Sequence, residues 1–339
     1  MINIYKYMIY KNKKYLLNNN KSRNLKKKNI LNNNIMSNNI LFGLNNIGNT
    51  CFLNSVLHII KHIDIIIYEL ICQRNDNEFM LKISLFYKVL FKRNFSLQEI
   101  RSFHSFLKKH IILEDIGIQG DSNEVIISLL SKLTDNNKTI DKVLRSKIIN
   151  SVICNNCNNI SNTSNYSYCF NYTIPTESND TINLKDLIKL YSEQNDLFGN
   201  DSYNCEKCKK LTNAKKNQEV DKYAHILVMC MDRYIYNNNR GEKNNRSIMF
   251  PKKIELGDRY YNLIGTIYHF GHSIGSGHYI CKVYDFNSSK WYIYNDSNIS
   301  IVNEETEEIS KDNYLHIYIS DKMYNLCQGK IKESLKKVK

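Results

Sequence analysis

Only 2 prolines and 12 glycines occur in 339 residues, too few for a collagen-like or proline-rich linker protein. Long apolar runs are missing too. The most apolar stretch, Ile59 to Leu70, is interrupted by Lys61, His62, Asp64 and Glu69. It falls short of the roughly 18 residues that a membrane-spanning helix needs, so no membrane span is expected. The N-terminus has no basic segment followed by an apolar segment and a small-residue cleavage site, which disfavours secretion. Without an oxidising compartment, ten cysteines are expected as metal ligands or catalytic thiols rather than as a disulfide framework. Acidic residues are also few: 33 against 47 basic ones, a formal net charge of +14. Such a balance points to nucleic acid or an acidic membrane, but its distribution does not. Residues 1–41 carry nine basic side chains and no acidic one, and residues 322–339 carry six lysines against Glu333, so the 280 residues between are neutral. No nucleic-acid partner is therefore expected.

What is present divides the chain. Residues 1–40, with runs of Asn and Lys and no sustained apolar period, are expected to form a mostly disordered extension. The cluster Lys21–Lys28 within it leaves nuclear or organellar targeting open beside a plain solvated tail. From Cys51 to about His62, the apolar residues Phe52, Val56, Ile59 and Ile60 recur at helical spacing, with Asn49 and Thr50 as N-cap candidates. Segments 77–93, 97–110 and 121–134 also predict helices. From about 143 onward strands dominate: Tyr166–Ile174, His225–Tyr236, Tyr261–Phe270, His278–Phe286, Trp291–Asn295 and Leu315–Ser320, with one helical insert at about 183–195. Helices first and strands later predict an α+β protein.

Two CxxC pairs, Cys154/Cys157 and Cys205/Cys208, predict one tetrahedral zinc site. Four thiolates leave no position for water, so the Zn2+ is expected to be structural. A zinc-ribbon nucleic-acid binder is the competing reading.

In Gly43-Leu-Asn-Asn-Ile-Gly-Asn-Thr-Cys51, a glycine-containing turn delivers one cysteine to a helix start, where backbone N–H groups favour a thiolate. Far along the chain, Gly275-Ser-Gly-His278-Tyr279 puts a histidine at the start of a strand, and Trp291-Tyr-Ile-Tyr-Asn295-Asp296 ends a second strand in polar groups. If those strands are adjacent and antiparallel, Asn295 lies beside His278. Nucleophile, base and orienter are the parts of a thiol protease.

The stretch GLNNIGNTCFLNSVL (43–57) resembles the Cys box of the ubiquitin-specific proteases, the USP family of deubiquitinases, and residues 261–299 resemble their His box. Gly120-Asp121-Ser-Asn-Glu124 is similar to the family's QDxxE segment, and the CxxC pairs fall where the family's fingers carry zinc. Leu227–Tyr234 with Phe250-Pro251 and Tyr314–Tyr318 complete a likeness over about 41–321. The resemblance implies a papain-like fold, with a helical thumb (about 41–145) and then zinc-bearing β fingers and a β-rich palm (about 146–321), followed by a basic tail (322–339).

It also implies hydrolysis of the bond after ubiquitin's C-terminal glycine, with ubiquitin and ubiquitinated proteins as partners and an activating protein partner in some cases. Position by position, Cys51 is the nucleophile, His278 the base and Asn295 the orienter, a role that Asp296 could share or assume. Asn46 is the oxyanion-hole side chain, and Asp121 and Glu124 bind basic residues of ubiquitin's tail. Departures are His58 for a Gln at the end of the Cys box, Gly120 at the Gln of QDxxE with Gln119 one place early, Asn123 and Val125 for His and Phe, and Tyr234 for Phe. His58 is expected to alter packing rather than chemistry. A ubiquitin-binding pseudoenzyme and a protease for another ubiquitin-like modifier stay open. An intracellular location, cytoplasmic or nuclear, is expected, with organellar targeting open.

Overall fold

The computed structural model describes residues 41–72, 77–176, 180–193, 195–237, 240–273, 275–303 and 307–336. The expected extension at 1–40 and its lysine cluster lie outside them. Six helices lead: α1 (Cys51–Lys61), α2 (Asp64–Cys72), α3 (Glu78–Leu90), α4 (Leu97–Lys108), α5 (Ser122–Asn136) and α6 (Lys138–Leu144). Then come β1 (Ser146–Cys154), β2 (Ile160–Ser167), β3 (Phe170–Thr173), β4 (Ile182–Asn183) and α7 (Leu184–Tyr191). The strands β5 (Asn195–Leu197), β6 (Tyr203–Cys205), β7 (Lys210–Thr212), β8 (Ala214–Lys222) and β9 (Ile226–Asp232) follow. After them come β10 (Tyr234–Asn237), β11 (Arg240–Lys243), β12 (Ile248–Pro251), β13 (Lys253–Leu256) and β14 (Arg259–Ser273). The chain closes with β15 (Ser276–Asp285), β16 (Lys290–Asn295), β17 (Asn298–Val302), β18 (Glu307–Ser310), β19 (Asn313–Ser320) and α8 (Asp321–Lys336). The class is α+β.

Local chemistry explains the helix ends. Ser96 and Glu99 form a reciprocal capping box on α4, Asn77 caps α3 and Asn137 caps α6. The apolar run Ile59–Leu70 is not one helix. The His62 N–H turns back to the Ile59 carbonyl (3.1 Å), closing α1 before α2 begins. All eleven residues of α1 are buried, because the helix packs against α5 on one side and β14, β15 and β16 on the other. A one-sided apolar period does not reveal that a helix is central.

An eight-stranded sheet runs β17-β16-β15-β14-β19-β9-β3, with β13 also paired to β14. Every residue of its inner strand β19 is buried. A four-stranded sheet, β2-β1-β8-β5, leads to the two CxxC turns, with the β6–β7 ribbon beside it. Smaller pieces are β18-β12-β4 and the β10–β11 hairpin.

Two expected strands are each broken in two. Tyr166–Ile174 is divided between β2 and β3 at Tyr168–Cys169, and His225–Tyr236 is interrupted at Arg233. Arg233 is fully buried, and its guanidinium donates to the carbonyls of Asn313 (2.5 Å), Asn244 (3.0 Å), Arg246 (2.9 Å) and Ser310 (3.3 Å) and to Asn313 Oδ1. Satisfying that fork requires the backbone to leave the ladder.

Candidate active site and metal centre

Cys51 opens α1. Thr50, the N-cap residue, makes no side-chain cap bond; its Oγ1 instead accepts the Ile47 N–H at 3.1 Å. The N–H groups of Cys51 and Phe52 at the helix start, and the Tyr279 N–H on β15, favour the thiolate. They are outweighed. Cys51 is 2% exposed, and burial pushes its thiol above the ordinary value, with the nearby Asp296 carboxylate adding to the rise. The balance favours the thiol over the thiolate.

Strand pairing places His278, the expected base. β15 and β16 are antiparallel, with Cys281 opposite Tyr294. Continuing the register by one residue sets Asn295 opposite Ile280, on the same face as His278 and diagonal to it. Nε2 of His278 lies 2.7 Å from Asn295 Oδ1. Gly277, which precedes His278 on β15, has φ +145°, and a Cβ there would come within 2.6 Å of His269 Nε2.

Asp296 faces elsewhere. With φ +52° it leaves the strand, and its carboxylate accepts from Asn46 Nδ2 (3.1 Å) and Asn54 Nδ2 (2.8 Å). Its carbonyl accepts the Leu44 N–H at 3.1 Å. Gly43 permits this approach, since a Cβ there would lie 2.6 Å from the Asp296 carbonyl oxygen. Asn46 Oδ1 in turn accepts the N–H groups of Gly48 (3.0 Å) and Thr50 (3.1 Å). The amide of Asn46 is thereby fixed in the loop that leads to Cys51. Neither Asn54 nor this division between Asn295 and Asp296 was legible from spacing.

Asp121 caps α5, accepting the Asn123 N–H (2.8 Å), and its other oxygen accepts the Tyr314 hydroxyl from β19 (2.8 Å). Burial pushes its carboxyl up to about 6. Glu124, one turn on, is exposed. The loop before Asp121 touches both halves of the site. Gly117 exchanges hydrogen bonds with Gly48 and Asn49 (3.0 and 2.7 Å), and Gln119 Nε2 donates to His269 Nε2 (3.1 Å). Burial and the nearby Lys243 hold His269 down at about 4, so its ring is neutral and can accept.

The four cysteines converge. Their sulfurs all lie within 4.8 Å of one another, with Cys154–Cys208 at 3.9 Å and Cys157–Cys205 at 3.6 Å. A tetrahedron with Zn–S bonds of about 2.3 Å has edges of about 3.8 Å. The two turns are built alike. Asn158 and Lys209, each following the second cysteine of its pair, both have φ +54°, and their N–H groups bond back to Cys154 and Cys205 (2.9 and 2.8 Å). The donor set fits a metal ion. No helix among the described residues is long and apolar enough to cross a membrane.

Comparison with known proteins decides the family. The family model described as ubiquitin carboxyl-terminal hydrolase matches residues 42–318.

The chain belongs to the ubiquitin carboxyl-terminal hydrolase family.

Membership makes it a cysteine-type deubiquitinase of the USP group, and the helical part, the four-stranded sheet and the eight-stranded sheet are the thumb, fingers and palm of its papain-like fold. Among its relatives, ubiquitin carboxyl-terminal hydrolase 3 of Homo sapiens is 23% identical over 82% of this chain and 67% of its own length. Ubiquitin carboxyl-terminal hydrolase 23 of Arabidopsis thaliana is 25% identical over 83% of this chain but only 35% of its own length. Ubiquitin hydrolase B of Dictyostelium discoideum is 26% identical over 44% of this chain and 34% of its own.

Proposed function

We propose that the chain hydrolyses the isopeptide or peptide bond after the C-terminal glycine of ubiquitin, with Cys51 as nucleophile, His278 as general base and acid, and Asn295 as orienter. The catalytic unit would be residues 41–321, with the thumb at about 41–145 and fingers and palm at 146–321, and residues 322–339 would be a basic tail. The observation that carries the reading is the 2.7 Å contact between His278 and Asn295 on β15 and β16, two of the strands against which the Cys51 helix packs.

His278 removes the Cys51 proton, and the thiolate attacks the glycine carbonyl. The oxyanion that forms meets the Cys51 N–H and the Asn46 amide hydrogen not engaged by Asp296. Collapse breaks the C–N bond, and the imidazolium protonates the departing amine. Water, deprotonated by the same histidine, then hydrolyses the thioester. Asn295 is neutral and holds the ring by geometry alone. Asp296 contributes at one remove, by fixing Asn46. Asp121 and Glu124 would receive basic side chains of the ubiquitin tail at the thumb edge.

The four cysteines would hold one structural Zn2+, cross-linking the ends of β1, β6 and β7, where the fingers are too thin to have a core. With four thiolates it would take no part in the chemistry.

Ubiquitin carrying a C-terminal electrophile tests the reading. A covalent adduct that is lost in Cys51→Ala supports it. Binding without an adduct would favour a pseudoenzyme, and an adduct only with another ubiquitin-like modifier would redirect the substrate assignment.

A further inference from the structure

One side chain outside the triad is gripped by two residues of the nucleophile helix and by its C-cap residue. Tyr294, on β16, is 1% exposed. His58 of α1 stacks on its ring with centroids 4.1 Å apart and planes 24° apart, and the Lys61 Nζ lies 5.8 Å from the ring centroid. The Tyr294 hydroxyl lies 3.0 Å from His62 Nε2, and His62 Nδ1 faces Asp285 Oδ1 at 3.8 Å. Burial holds both imidazoles neutral, and the Tyr294 hydroxyl and His62 Nε2 share one hydrogen bond.

The grip is costly. Neither ring nitrogen of His58 nor the Lys61 Nζ has a hydrogen-bond partner among the described residues, and buried groups of this kind call for a compensating role. His58 is also where the sequence departs from the family's Cys box.

The position of Tyr294 suggests that role. Adjacent strand residues point to opposite faces, so Tyr294 turns toward α1 while Asn295 turns to His278. The helix that carries Cys51 and the strand that carries Asn295 therefore meet at this ring.

We propose that Tyr294, held by His58, Lys61 and His62, is a positioning residue that sets Asn295, and through it His278, relative to Cys51. The inference rests on the triad reading above. Steady-state kinetics on ubiquitin with a C-terminal fluorogenic leaving group test it, with ubiquitin affinity in a Cys51→Ala background as the check on folding. Tyr294→Leu is expected to lower kcat on the order of 100-fold, as misplaced catalytic groups do, with ubiquitin affinity unchanged. Tyr294→Phe keeps the stacked ring and is expected to lose less. Because the effect acts through Asn295, the Tyr294→Leu loss should shrink to about threefold or less in Asn295→Ala, whereas a purely structural role would give independent losses that multiply. Normal kcat in both Tyr294 variants, or multiplying losses, would overturn the proposal. Retained activity in Cys51→Ala would instead overturn the triad reading on which it stands.

Discussion

Asn295 and Asp296 are consecutive, yet they serve different partners: Asn295 meets His278 at 2.7 Å, while Asp296 ties Asn46 of the loop before Cys51 (3.1 Å) to Asn54 of α1 (2.8 Å). The proposed orienter and the support for the proposed oxyanion amide are thus separable by mutation. Asn295→Ala is expected to lower kcat by about 100-fold or more and to slow alkylation of Cys51 by a small electrophile, since both need the imidazole in place. Asp296→Ala is expected to cost about 10- to 100-fold in kcat without slowing alkylation, which forms no oxyanion. Removing that carboxylate also removes a negative neighbour that disfavours the thiolate. Equal slowing of alkylation in both variants would refute the division of labour.

The proposed pairing of Asp121 with a basic side chain of the ubiquitin tail should give ubiquitin binding a pH dependence. With its carboxyl raised to about 6 by burial, it is neutral below that pH and can pair with a tail cation only above it. The ionised share is about a tenth at pH 5 and about nine-tenths at pH 7. Ubiquitin affinity, measured by calorimetry on Cys51→Ala to keep chemistry out of the profile, should therefore rise by up to about tenfold between those values. Asp121→Asn should flatten the curve at the weak end. A wild-type curve that is already flat would remove Asp121 from tail recognition.

Metal analysis of the purified chain should find one Zn2+. Cys157→Ser and Cys208→Ser should each abolish it, because a three-thiolate remnant lacks the closed tetrahedral set. Proteolysis should then cut first within the β6–β7 ribbon, which the metal would hold more than packing does, while the buried strand β19 stays protected. Full zinc content in either variant would show that the metal lies elsewhere.

Arg233→Met should destabilise the protein by about 3 kcal/mol or more, since five acceptors, two buried and three partly buried, lose their donor together. Arg233→Lys should recover little, because an ammonium cannot span a planar fork. Chemical denaturation measures both, and a loss of under about 1 kcal/mol would mean that water replaces the guanidinium without penalty.

The sequence carried whatever depends on spacing along the chain. Helix α1 follows from the period of Phe52, Val56, Ile59 and Ile60, and the metal knuckles follow from two CxxC turns, because each is a short stretch whose geometry repeats wherever it occurs. Strand identity along β14, β15 and β16 was legible in their β-branched and aromatic residues. The breaks were not. Arg233 interrupts a strand of good propensity because acceptors from two other segments converge on it, and the run Ile59–Leu70 bends at His62 with no proline or glycine to announce it.

The site shows the same boundary. Composition and spacing put Cys51, His278 and Asn295 on the page as residue types suited to thiol chemistry. The tertiary structure alone decided that Asp296, one residue on, adopts φ +52° and turns to Asn46. It alone brought His58 against Tyr294, 236 positions away, and buried Asp121 under Tyr314. Local periodicity specifies which face of an element a residue occupies. Which element arrives at that face, and what it does to a carboxyl or a thiol there, is fixed only when the whole chain packs.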